Sequence, residues 1–135
     1  MSTPLLKIDG LKTYFHTEDG TVRAVDGVSL TVERGRTLGI VGESGSGKSV
    51  TAYSILRLLP ESVADIKEGA VEWTGEKGRV DLVKLPIDEM PYYRGGDIAM
   101  IFQEPMTSLN PVFKCGKQVA ESIVYHKGAS WEEAW

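Results

Sequence analysis

The 135-residue sequence holds one cysteine, Cys115. An intrachain disulfide is therefore excluded, and a reducing compartment is expected. Long apolar runs are missing too. No stretch approaches the ~20 apolar residues of a spanning helix, so any membrane link is expected to run through a partner. The opening Met1-Ser2-Thr3-Pro4-Leu5-Leu6-Lys7 has no basic region followed by an apolar run, so it does not read as a signal peptide. Basic charge is in deficit. Fifteen Lys and Arg face nineteen Asp and Glu, a formal net charge of −4, which argues against a general nucleic-acid binder. There is no internal repeat and no low-complexity tract. Cys115 has no histidine near it at metal-ligand spacing, so it reads as a small semi-buried residue.

What is present is enough for a core: 41% of the residues are hydrophobic and 25% charged. The most informative stretch is Gly42-Glu43-Ser44-Gly45-Ser46-Gly47-Lys48-Ser49. It fits G-x-x-x-x-G-K-[ST], the phosphate-cradling P-loop, at every fixed position. Residues 37–41, Thr-Leu-Gly-Ile-Val, read as a buried strand running into it. Residues 50–59 read as a helix stopped by Pro60, with Val50, Ile55, Leu58 and Leu59 apolar. Glycines in such a loop let the backbone turn its N–H groups inward on an anion, and the helix start adds free N–H groups and the positive end of its dipole. Lys48 would reach the β- and γ-phosphates, and the Ser49 hydroxyl would ligate Mg²⁺. The cradle itself would be Gly42, Ser44, Gly45, Ser46 and Gly47.

Around this loop the pattern is mixed. Residues 5–15 read as a strand, with Asp9-Gly10 a bulge or turn, and residues 17–20 as a turn. Residues 22–25 resume an extended pattern, Asp26-Gly27 turns again, and Val28-Ser29-Leu30-Thr31-Val32 alternates as a half-buried strand. An antiparallel β-layer thus precedes the phosphate loop, which is not the layout of a simple doubly wound kinase. Residues 61–68 read as a loop. Residues 69–73 and 80–84 read as two strands, and residues 87–94 as a short helix weakened by Pro91. Residues 97–102 form a second buried strand candidate, ending at Gln103. Residues 116–126 read as a helix with Val119 and Ile123 on one face. Ser130 and Glu133 have capping-box spacing. A helix start with two residues after it is expected to belong to a longer chain.

The P-loop and the apolar stretch ending in Gln103 together resemble the ATP-binding subunit of ABC transporters. In that family a glutamine so placed forms the Q-loop. Residues 103–112, Gln-Glu-Pro-Met-Thr-Ser-Leu-Asn-Pro-Val, and the run Ala24-Val25-Asp26-Gly27-Val28-Ser29-Leu30 look like the dipeptide and oligopeptide importer ATPases, including nickel importers. The fold class implied is α/β, a P-loop NTPase core with an antiparallel β-subdomain. Residues 1–135 would be the N-terminal part of a single nucleotide-binding domain.

The resemblance implies further roles. The cofactors would be ATP and Mg²⁺. Gln103 would ligate Mg²⁺ and the attacking water, and with Lys48 would be the catalytic set present. An aromatic of the first strand would stack on adenine. Phe15 is the residue chosen, with its neighbour Tyr14 facing the other way. Many members carry a hydroxyl residue where Val50 stands, so its contribution to the α-phosphate must come from backbone N–H or from Thr51. The partners implied are membrane-spanning subunits, reached through the segment after Gln103, and a second ATPase subunit in a head-to-tail dimer. The location implied is cytoplasmic, on the inner face of the cell membrane.

The family's LSGGQ-like signature, its Walker B strand and its switch histidine find no match in this sequence. His16 and His126 read as surface or packing residues, and Glu104 as part of the Q-loop scaffold. The function expected is ATP binding and, in a full-length protein, hydrolysis that energises import of peptides or related solutes. The alternatives are a soluble ABC ATPase without a transport role and a nucleotide-binding module that does not hydrolyse. A GTPase is disfavoured because no Asn-Lys-x-Asp guanine reader is present.

Overall fold

The computed structural model describes residues 3–104 and 108–135. The chain divides into two compact units, Met1–Met90 and Pro91–Trp135.

The first unit is built on a four-stranded antiparallel sheet in the order β2-β1-β3-β4, with β1 Leu6–Thr17, β2 Gly20–Val32, β3 Ala64–Gly75 and β4 Gly78–Asp81. Strands β1 and β2 form a hairpin that closes at Thr17 and Gly20, where the Thr17 hydroxyl donates to the Gly20 carbonyl. The expected antiparallel layer is therefore present, and the alternation in residues 28–32 holds, with Val28, Leu30 and Val32 half-buried between exposed neighbours.

The pairing is interrupted by bulges rather than turns. On β1 an extra residue falls between Ile8 and Leu11, at Gly10, whose φ is 58°. That extra residue brings both Ile8 and Leu11 into the core, at 1% and 0% exposure, although their odd separation would otherwise set them on opposite faces. Each contributes roughly 1.5–3 kcal/mol of burial. On β2 the pairing skips Ala24 and Gly27, so Asp26-Gly27 is a bulge inside one strand and not a turn. Residues 64–68, expected as loop, are strand. Their carboxylates enter ion pairs, Asp65 with Lys67 and Glu68 with Lys12, while the backbone pairs with β1.

Helix α1, Lys48–Ile55, lies against β1 and β2. It is shorter than residues 50–59. It ends at Leu56 because Arg57 takes a left-handed φ of 50°, before Pro60 is reached. Its buried residues are Thr51 and Ser54, not the expected apolar set. Residues 37–41 do not form a strand, and Val41 is 97% exposed. A buried parallel strand needs neighbours for its backbone groups on both edges, and none of the described strands pairs with this stretch.

The second unit contains α2, Cys115–Lys127, and α3, Trp131–Ala134, which pack on each other. A 3-10 helix, Ile87–Tyr92, spans the boundary between the units and includes Pro91. The inner face of α2 is Ala120 with Ile123 and Val124 half-buried, while Val119 is exposed. The capping box forms as expected. The Ser130 hydroxyl accepts from the Glu133 N–H, and the Glu133 carboxylate accepts from the Ser130 N–H and hydroxyl. Those two bonds hold the Glu133 carboxyl below its ordinary range. Trp135 lays one edge of its ring over Gly116, although most of the residue is exposed. Cys115 is exposed, not semi-buried. Residues 97–102 form no strand either: Ile98 makes one bridge to Arg94, and Ile101 is 96% exposed.

Candidate phosphate-binding site

The loop of residues 42–47 is shaped by its own small residues. A Cβ on Gly42 would stand 2.6 Å from the Ser46 hydroxyl oxygen. Ser44 and Gly45 make the turn at the tip, closed by the Ser46 N–H donating to the Glu43 carbonyl at 3.3 Å. Gly47 caps α1 in a left-handed conformation, φ 88°. No side chain caps the helix start and no acidic residue sits in the first turn. Among the described residues, no N-cap side chain and no first-turn carboxylate thus serves the first N–H groups of α1 or offsets the positive end of its dipole. That is an arrangement able to receive an anion.

Lys48 lies at the centre. Its ammonium donates to the Gly42 carbonyl at 2.7 Å, the Glu43 carbonyl at 2.6 Å and the Ser46 hydroxyl at 3.2 Å. Three donors meet three acceptors, so the loop is wrapped around the charge. The Ser46 contact is the longest and the cheapest to exchange for a phosphate oxygen. Ser49 follows on the first turn of α1 with an exposed side chain. Its hydroxyl is a hard oxygen donor of the kind Mg²⁺ takes. Among the described residues no group of three or more His, Cys, Asp or Glu could hold a metal ion. A metal here would therefore depend on phosphate oxygens for much of its coordination.

Thr51 cannot stand in for the missing hydroxyl at Val50. It is buried, and its hydroxyl donates to the Gly47 carbonyl at 2.9 Å. An anion beside Val50 would therefore depend on backbone N–H groups.

The two aromatics of β1 differ in their engagements. Tyr14 donates its hydroxyl to Asp26 at 2.8 Å, and the Arg23 guanidinium lies 5.6 Å from its ring centre. Phe15, half-buried, has Thr13 as its same-side neighbour on β1, and Thr13 meets α1. The Asp26 hydrogen bond raises the Tyr14 pKa above its ordinary 10.0. The sign follows from a raised value: the contribution to stability is present below the unfolded pKa and is lost as pH rises through the folded one. NMR of ¹³C-labelled tyrosine is expected to show Tyr14 titrating above 10.0 and moving down in Asp26→Asn. An unchanged titration in that variant would show that the bond is absent in solution.

Gln103 belongs to the second unit and is exposed. Of the segment after it, residues 105–107 lie outside the described residues. Residues 110–113 are gripped by Gln118 of α2, which donates to the Asn110 and Phe113 carbonyls and accepts from the Asn110 N–H. Val112 and Phe113 are exposed beside this grip. His16 is on the surface, 3.4 Å from an Asp65 carboxylate oxygen.

Three residues near the site escape sequence reasoning: Ala24, Thr13 and Ser54. The Ala24 carbonyl is what a Cβ on Gly47 would strike, at 2.4 Å. The Thr13 and Ser54 hydroxyls meet at 2.8 Å in the interior. Two hydroxyl residues forty-one positions apart give no pattern to read until the helix is laid on the sheet.

Known proteins resemble this chain over nearly its whole length. The family model described as ABC transporter matches residues 25–134. The glutathione import ATP-binding protein GsiA of Salmonella typhimurium is 52% identical over 134 residues, which cover 98% of this chain and 22% of that protein. A putative peptide import ATP-binding protein of Brucella abortus is 48% identical over 132 residues, covering 97% of this chain and 39% of that protein. The solved dimeric structure of MJ0796, a bacterial ABC transporter cassette, superposes with a TM-score of 0.77 at 25% identity, covering 96% of this chain and 52% of that one. The chain thus spans well under half the length of these curated relatives. A phosphate loop wrapped on its lysine, set on an antiparallel sheet, agrees with these matches, and the chain belongs to the ABC transporter family of ATPase domains.

Proposed function

We propose that this chain binds Mg-ATP in the loop of residues 42–49, and that in the longer protein to which such a chain contributes, hydrolysis energises import of peptides or related solutes. The observation that carries the binding reading is the Lys48 ammonium held by Gly42, Glu43 and Ser46 at an uncapped helix start. Backbone N–H groups from Gly45 to Val50 would bind the phosphates, and Lys48 would stabilise charge on the transferred γ-phosphoryl group. Ser49 would offer its hydroxyl oxygen to Mg²⁺, which would neutralise charge on the phosphate oxygens, and Gln103 would keep the metal and water role that the family resemblance implies. Phe15 would stack on adenine, which the engagement of Tyr14 with Asp26 and Arg23 favours.

The import reading is supported by relatives whose names describe glutathione and peptide import. Among the described residues no helix is long and apolar enough to cross a membrane. Membrane-spanning subunits would be met through the segment after Gln103, at the inner face of the cell membrane, and a second ATPase subunit would pair head to tail. Each nucleotide would then be closed by the signature loop of the opposite subunit, a motif absent from residues 1–135. Phosphate release by this chain at saturating Mg-ATP is accordingly expected to equal that of Lys48→Ala. Turnover well above that control would overturn the assignment of hydrolysis to a composite site. Co-purification of the longer protein with a membrane subunit tests the import reading, and its absence would favour an ABC ATPase without a transport role.

A further inference from the structure

We infer that Thr13 and Ser54 are positioning residues that set the register between the adenine platform on β1 and the phosphate loop at the head of α1. The inference rests on the nucleotide-binding reading above and deepens it. Both side chains are buried, at 0% and 1% exposure, and their oxygens are 2.8 Å apart. Ser54 also donates to the Val50 carbonyl at 2.7 Å. A serine hydroxyl has one hydrogen. With that hydrogen spent on Val50, Thr13 is the donor, and the order is fixed: Thr13 to Ser54 to the Val50 carbonyl. The relay therefore runs from β1 to the first turn of α1, beside Ser49.

A second contact pins the same helix at its start. Thr13 pairs across the sheet with Val25, and the adjoining Ala24 is the residue at which β2 bulges. A Cβ on Gly47 would stand 2.4 Å from the Ala24 carbonyl oxygen and 3.7 Å from the Val25 side chain, so only a glycine lets the helix start lie this close to β2. Helix α1 is thus held at Gly47 and at Ser54, a span of two turns, against one cross-strand pair. Phe15 stands two residues along β1 from Thr13, on the same side. A rigid seat of this kind sets the separation between base and triphosphate sites. ATP engages both sites through one linker, so its affinity depends on that separation, whereas a ligand for one site alone is indifferent to it.

The test compares two ligands on the 135-residue chain, Mg-ATP and magnesium with inorganic triphosphate, by calorimetry. Thr13→Val keeps shape and β-propensity and removes the donor, and Ser54→Ala removes the acceptor while favouring helix. Each is expected to weaken ATP about fivefold or more while changing triphosphate by less than about twofold. Thr13→Ser should restore ATP binding, and combining the two changes should add little to either alone. A parallel loss of both ligands, or no loss of either, would overturn the positioning role and leave the nucleotide reading standing. A wild-type chain that binds neither ligand would overturn both. Should Thr13→Val fail to fold, Ser54→Ala carries the same comparison.

Discussion

Mg-ATP titrated into Lys48→Ala is expected to give no measurable heat of binding under conditions that saturate the unaltered chain. Two losses combine. The ammonium's charge-assisted bonds to phosphate oxygens go, and bonds of that kind contribute roughly 1.5–3 kcal/mol each, or about ten- to a hundredfold in affinity. The loop also loses the cation around which it is wrapped. The Gly42 and Glu43 carbonyls, now satisfied at 2.7 and 2.6 Å, would turn to water, and among the described hydrogen bonds the loop's inward shape has no other charged anchor. The loop is exposed from residue 42 to residue 46, so little packing holds it otherwise. Lys48→Ala should therefore leave the sheet folded, since β1 to β4 pair without it. Retained binding in this variant, with the same affinity, would sink the assignment of the phosphate site to residues 42–49.

How much of this was legible beforehand differs from element to element, for physical reasons. The conformation of the loop of residues 42–47 is legible because its glycines and its lysine, at fixed spacing, shape the backbone locally. The α3 capping box is legible because two residues three positions apart, Ser130 and Glu133, close it. Strands β1 and β2 were readable from alternation and Gly20, but their bulges misled. Asp26-Gly27 has turn chemistry, yet β1 supplies partners on either side of it, and pairing overrides the local preference. The same override turned residues 64–68 from loop into strand. Residues 37–41 and 97–102 erred in the other direction. Their apolar runs suit a parallel strand, but a parallel strand is stable only between neighbours, and none of the described strands flanks either run. The buried face of α1 was misread because periodicity scores apolar residues. This helix buries Thr51 and Ser54, whose hydroxyls donate back to the Gly47 and Val50 carbonyls, and Ser54 meets Thr13 only once the sheet is in place. Gln103 is a different case: the role proposed for it rests on resemblance to the family, because one exposed glutamine has no local signature.

The seat of α1 makes a second large effect predictable, and a neighbouring glycine isolates its cause. Gly45 and Gly47 both have left-handed φ values, 80° and 88°. An alanine at either bears the backbone strain of that region, about 1–2 kcal/mol. They differ in what a Cβ would meet. At Gly45 there is nothing within 4 Å, whereas at Gly47 the Ala24 carbonyl oxygen stands at 2.4 Å and its carbon at 3.5 Å. That oxygen belongs to backbone inside β2, next to the buried Val25, so it cannot swing aside as a side-chain tip would. Either α1 lifts from the sheet or the β1–β2 pairing opens. Gly47→Ala is expected to cost about 2–4 kcal/mol, against about 1–2 for Gly45→Ala. Hydrogen exchange of the β1 and β2 amides reads that difference locally, because it reports the stability of the ladder itself. The same shift should carry into ligand binding, since lifting α1 breaks the relay from Thr13 through Ser54 to Val50. Equal losses in the two variants would mean that the Gly47–Ala24 contact contributes nothing beyond backbone strain. A larger loss at Gly47, with faster exchange confined to β1, β2 and α1, would show that the bulge at Ala24 is the seat on which the phosphate loop is held.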